Sequence, residues 1–107
     1  MIYLVSEKGQ RTVKVGYTEN AAQRQTAYAT HSTVAQFIDW AKGTKKDETD
    51  WRVSFDMFGF EKVDPEREKS EWYYLPEWID KRKLLSKGFA YLGQAMLDHA
   101  ESLIENL

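Results

Sequence analysis

The sequence contains no cysteine, so neither a disulfide framework nor a thiolate metal site is open to it. It has only two prolines, Pro65 and Pro76, and no internal repeat or low-complexity segment. No apolar run approaches the length of a membrane span, and the N-terminus lacks the basic-then-apolar pattern of a signal peptide. A basic surplus is missing as well: 15 Lys and Arg against 17 Asp and Glu leave a net charge of −2. Affinity for nucleic acid comes largely from cations that displace counterions, so a nucleic-acid partner would require a local cationic cluster. Lys8, Arg11, Lys14 and Arg24 could form one, and Lys42, Lys45 and Lys46 a second. The second group reads equally well as ordinary solvated charge. These bounds leave one domain of 107 residues, large enough for a single core, and point to a soluble, cytoplasmic protein with no membrane partner.

Aromatic residues are plentiful, at 14%, and they begin at once. Residues 2–6 and 11–17 are apolar runs rich in Val, Ile and Tyr, separated by a polar segment containing Gly9, and they predict a β-hairpin. Thr18 or Asn20 can cap a short helix over residues 20–29, in which Ala21, Ala22, Ala27 and Ala29 permit close packing on the sheet. Arg24 and Tyr28 lie four apart and project from one helix face. His31-Ser32-Thr33 reads as a turn. Residues 34–41, with Val34, Phe37, Ile38 and Trp40, are most simply a third strand, although a helix over 33–42 also fits the imperfect alternation.

Thr44 or Asp47 can cap the next helix, which runs to about Gly59. Trp51, Phe55 and Phe58 form its apolar stripe, with Glu48 at the margin. Residues 59–70 are charge-dense and read as an exposed connector. Residues 71–75 are a short aromatic run. Pro76 suits the first position of a helix continuing to about Lys87, where Gly88 can end or break it. From Phe89 to Leu107, the residues Phe89, Leu92, Met96, Leu103, Ile104 and Leu107 give a further helical stripe. That stripe can fold back on the sheet or mediate self-association through 89–107; its modest length favours the former. The expected class is α+β: a small, three-stranded, mostly antiparallel sheet flanked by helices, with a helical C-terminal extension after residue 76.

Ile2-Tyr3 on a first strand, Lys14-Val15-Gly16 on a second and Arg24 on the following helix resemble the GIY-YIG endonuclease superfamily. Tyr28 falls one turn after Arg24, where that family carries Tyr or His. Lys14 departs from the family's usual second tyrosine. A phage-type branch carries Lys-Ile-Gly-Tyr-Thr at the hairpin's end and Gly-Glu-Trp-Phe near the domain's close. This chain has Lys14-Val15-Gly16-Tyr17-Thr18 and Ser70-Glu71-Trp72-Tyr73, so the likeness spans roughly residues 1–75.

The resemblance implies metal-dependent hydrolysis of DNA phosphodiesters. In the family one glutamate, on a helix after the third strand, holds a single divalent ion. In the phage-type branch it precedes a histidine by four residues and a phenylalanine by seven. Glu48, Arg52 and Phe55 reproduce that spacing with arginine for histidine, so Glu48 is the implied ligand for Mg²⁺ or Mn²⁺. An N-terminal-turn carboxylate interacting with the helix dipole is the plainer reading of Glu48, and Asp47 or Asp50 could fill either role. Arg24 would bind the scissile phosphate, because its planar fork suits phosphate oxygens and stays charged; otherwise it is a surface partner of Glu19 or Glu7. Tyr3, Tyr17, Tyr28 and Lys14 would share water activation and positioning. Tyr3 is equally well a core aromatic. Lys14 could act as a base only if its pKa were strongly lowered, and when charged it could only anchor phosphate. Glu71 reads as structural. Neither His31 nor His99 has metal-site spacing, and Trp40, Trp51, Trp72 and Trp78 read as packing residues. The alternative from another class is a nucleic-acid-binding or protein-interaction module that keeps the fold without the chemistry.

Overall fold

The computed structural model describes residues 1–31, 34–66 and 71–107. The expected hairpin is present: β1 (Ile2–Glu7) pairs antiparallel with β2 (Thr12–Tyr17), placing Tyr3 opposite Gly16 and Val5 opposite Lys14. Helix α1 (Ala21–His31) follows, and Asn20 caps it by accepting the Gln23 N–H at 3.0 Å. Its last residue is His31, the first of the three expected to form a turn; Ser32 and Thr33 lie outside the described residues. Residues 35–41 form a strand and not a helix: β3 (Ala35–Ala41) pairs antiparallel with β1.

Thr44 caps helix α2 (Lys45–Met57) in a capping box with Asp47, each side chain taking the other's backbone N–H. Beyond it the sheet is larger than expected. A two-residue strand, β4 (Glu61–Lys62), lies within the stretch read as an exposed connector, and β5 (Trp72–Tyr74) forms from the aromatic run. The sheet therefore has five strands, all antiparallel, in the order β3-β1-β2-β5-β4. Ser70 of the closing signature lies outside the described residues.

The last helix starts later than its proline suggested. Pro76 to Ile79 is a turn, and α3 (Lys81–Glu105) begins behind Asp80, whose carboxylate accepts from the N–H groups of Arg82 and Lys83. Gly88 breaks it, with φ 60° and ψ −135°. A side chain there would strike Asp39 of β3, whose Oδ2 accepts the Phe89 N–H at 3.0 Å and so caps the second helical segment.

Alternation along the strands divides the sheet into two faces. Ile2, Leu4, Val13, Val15 and Tyr73 turn to one side and join Phe55, Leu84, Phe89, Leu92 and Met96 from α2 and α3 in a single core. The helical extension therefore shares the core of the strands. Its stripe is only half used: Phe89, Leu92 and Met96 are buried, whereas Leu103, Ile104 and Leu107 are exposed. On the opposite face Tyr3 meets the rings of Tyr28, Phe37 and Trp40 within 6.1 Å. No helix among the described residues is long and apolar enough to cross a membrane.

Candidate active site

β5 pairs only with Thr12, Val13 and Lys14 of β2. Among the described residues the same edge of β2 is thus left without a strand partner from Val15 to Tyr17. At this notch side chains from both faces of the sheet meet. A cavity of about 300 Å³ lies there, lined by Tyr3, Lys14, Gly16, Tyr17 and Arg24 from the hairpin and α1, by Lys45, Glu48, Thr49 and Arg52 from α2, and by Glu71. Five of the six residues singled out from sequence line it. The sixth, Tyr28, stands behind Lys14.

Each wall has a local cause. Gly16 carries no Cβ, and a methyl group there would overlap the Tyr3 ring, so this glycine lets the phenol lie across β2 towards the notch. Tyr3 is 2% exposed, and burial, opposed in part by the charge of Lys14, pushes its hydroxyl up to about 12. It is a neutral phenol at ordinary pH, able to donate a hydrogen bond but not to act as a base. Arg24 comes from the first turn of α1, and no carboxylate among the described residues lies within ion-pair distance of it; the partners Glu19 and Glu7 do not hold it.

Lys14 is held from two sides. Its Nζ donates to the Tyr28 hydroxyl at 2.7 Å and lies 3.1 Å from Glu71 Oε2. Desolvation pulls its pKa down, but the Tyr28 hydrogen bond and the negative charge of Glu71 outweigh this, and the net shift is upward. Lys14 is therefore an ammonium ion and not the neutral base considered from the sequence. Glu71, read as merely structural, fixes that ammonium; its place beside the β5 strand facing Lys14 could have been inferred only with the pairing of β2 and β5 in hand.

Glu48 is 6% exposed. Its Oε1 is 3.6 Å from Nη1 of Arg52, one helical turn on, and among the described residues its carboxylate accepts no hydrogen bond. Asp47 and Asp50, the other candidates for its role, are engaged elsewhere: Asp47 in the capping box, Asp50 with Lys46 at 2.9 Å. Neither lines the cavity. Arg52 keeps a buried Nε without a partner.

The cationic clusters differ from those expected. Arg11 leaves the first group, because its guanidinium donates to the carbonyls of Pro76 and Ile79 at 2.8 and 2.9 Å. Of the second group only Lys45 reaches the cavity. Lys14, Arg24, Lys45 and Arg52 face two carboxylates, Glu48 and Glu71, which leaves a local surplus of two positive charges on a chain whose total is −2. Thr49, also in the lining, carried no sequence signal. His99 stacks on Trp78 with centroids 4.1 Å apart, in the helical layer, and does not line the cavity.

The donor set suits a hard divalent cation held by one carboxylate. Glu48 is the sole α2 carboxylate in the lining, which Thr49, Tyr3 and Tyr17 share with it, and no group of three or more acidic, His or Cys side chains that could hold a metal occurs among the described residues. Mg²⁺ is commonly bound in this manner, through one or two carboxylates, its own waters and phosphate oxygens of the substrate. The surplus of cations disfavours the ion alone and favours its arrival together with an anionic substrate. No protein-family model matches the chain, and no curated protein or solved structure matches it either.

Proposed function

We propose that this protein is a metal-dependent endonuclease that hydrolyses DNA phosphodiesters at the β2 notch, in the manner of GIY-YIG nucleases. The observation that carries the reading is convergence: Arg24 from the early helix and Glu48 from the later one line the same cavity, beside the Tyr3 hydroxyl and the Lys14 ammonium. Arg24 clamps the phosphate, whose oxygens match its fork, and Lys14 anchors a second oxygen or a neighbouring phosphate as a point charge. Tyr3, neutral and desolvated, donates a hydrogen bond that orients phosphate or water. Glu48 would hold Mg²⁺ or Mn²⁺. The ion, when bound, supplies a Lewis acid that offsets developing charge and brings water attack within reach at neutral pH. Tyr28 and Glu71 keep the ammonium in place.

The test uses plasmid and oligonucleotide substrates with Mg²⁺ or Mn²⁺. Glu48→Gln and Arg24→Ala should each lower cleavage by about 10²-fold or more, the scale of losing one transition-state contact, while circular dichroism stays native. Cleavage that is absent in the parent, or unchanged in both variants, overturns the assignment.

The Glu48–Arg52 pair and the permanently charged Lys14 favour one second reading, a module that binds nucleic acid without cutting it. It predicts a salt-sensitive mobility shift of DNA with no cleavage under any divalent ion.

A further inference from the structure

Two charged groups in the notch are incompletely satisfied. Glu48 is 6% exposed, and among the described residues its carboxylate accepts no hydrogen bond. Its one ion pair, to Nη1 of Arg52, is 3.6 Å long, whereas a charge-assisted hydrogen bond closes to about 2.7–2.9 Å. The Nε of Arg52 is buried with no partner at all. Buried polar groups are nearly always bonded, so such gaps need a cause. Here both gaps belong to one pair of side chains, a helical turn apart, lining one cavity.

Local geometry does not explain them. An acid four residues ahead of a base is the favoured order on a helix, and in partly buried surroundings the pair gains by closing into a two-pronged contact. Arg52 is drawn the other way instead. The Tyr73 hydroxyl, on a residue 1% exposed, interacts with both Arg52 and Asp56, one further turn along α2. Glu48, Arg52 and Asp56 thus recur every four residues, and the guanidinium lies between two carboxylates with a hydroxyl at its far side. Arg52 has partners that remain when it leaves Glu48.

We propose that Arg52 is the resident counter-ion of Glu48, holding the place of a divalent cation and giving it up when one binds. The inference rests on the metal role proposed for Glu48 and adds the control of that site. A like charge about 4–6 Å away shifts a proton equilibrium by about 1–3 units, and a doubly charged ion is opposed at least as strongly, so Arg52 weakens cation binding at Glu48 by about tenfold or more. Off Glu48, Arg52 presents a free fork in the cavity that Arg24 and Lys14 also line, and phosphate oxygens suit that fork. Phosphate held there keeps Arg52 away from Glu48. Substrate and ion therefore strengthen each other's binding, by the same factor in both directions. With neither present, the pair spares Glu48 from standing buried and uncompensated.

Titration of the full chain with Mn²⁺ in the absence of DNA, read from the electron paramagnetic resonance of the free ion, tests this. Arg52→Gln should tighten Mn²⁺ binding about tenfold or more, Arg52→Lys, which keeps the charge, should stay within about threefold of the parent, and Glu48→Gln should abolish binding in either background. A second measurement needs no folded variant: in ¹H–¹⁵N spectra of the parent, Mg²⁺ should shift the Arg52 Nε–H resonance. Equal Mn²⁺ affinity in the parent and Arg52→Gln, no Mn²⁺ binding in Arg52→Gln, tightening that survives the loss of Glu48, or an Arg52 resonance indifferent to Mg²⁺ overturns the proposal. Its failure is separable from that of the nuclease reading. A parent that cuts DNA but matches Arg52→Gln in Mn²⁺ affinity removes only this role of Arg52, whereas a gain of affinity in a protein that cuts nothing keeps the counter-ion and removes the nuclease.

Discussion

Tyr3 shows how one side chain serves both packing and chemistry. Its ring is buried among Tyr28, Phe37 and Trp40, and its hydroxyl reaches the notch only because position 16 has no side chain. The burial that makes it a poor acid has a measurable consequence. In the unfolded chain the phenol ionises near pH 10, but in the fold only near 12. Between those values the unfolded state has released a proton that the folded state still holds, so stability is intact below pH 10 and declines as pH rises from 10 to 12. The loss from this one group approaches about 2–3 kcal/mol. Lys14, also shifted upward, adds to the decline in the same direction. Urea unfolding measured from pH 8 to 12 should show this alkaline fall, and Tyr3→Phe should flatten it. A slope that is identical in the variant would mean that Tyr3 ionises normally.

The joint between α3 and the sheet is the feature that most governs the individual elements. Asp39 accepts from its neighbour Trp40 at 2.8 Å and from Phe89 at 3.0 Å, so one β3 carboxylate caps a helical segment 50 residues away. Asp39→Ala should cost about 1–2 kcal/mol, the usual worth of a helix cap, and lower the melting temperature by several degrees; an unchanged melt would show that the cap carries no load. The hairpin, α1, β3 and α2 were legible from sequence because each is long enough for its period to show and has its own turn or cap residues. Tyr3, Lys14, Arg24 and Glu48 were singled out through the resemblance to GIY-YIG nucleases, whose spacing they match, and they line one cavity. β4 was not, since two residues, Glu61 and Lys62, cannot display alternation. The start of α3 was misplaced because Pro76 is a good first helical residue locally. What fixes the start instead is Asp80, together with Arg11 binding the carbonyls of Pro76 and Ile79 from across the fold. The roles of Glu71 and Arg11 rest on pairings distant in sequence, which periodicity does not report.

The charges of the whole molecule are unevenly distributed. A chain of net charge −2 concentrates Lys14, Arg24, Lys45 and Arg52 around one notch and lines the groove between α2 and α3 with Asp47 and Asp50. An anion would be attracted at the notch and repelled at the groove. If phosphate contacts are confined to those four cations, the logarithm of DNA affinity should fall against the logarithm of salt with a slope no steeper than about −4, and Arg24→Ala should reduce it by roughly one. A markedly steeper slope in a salt titration would require a second basic surface.

The order of the strands carries a last consequence, for biosynthesis. β2 leaves the ribosome well before its outer neighbour β5, where Thr12 pairs with Tyr74. Throughout the translation of the intervening chain, β2 presents bare N–H and C=O groups, the template on which stray strands add. Among the described residues, the notch that holds the cavity is what remains of that open edge in the finished protein.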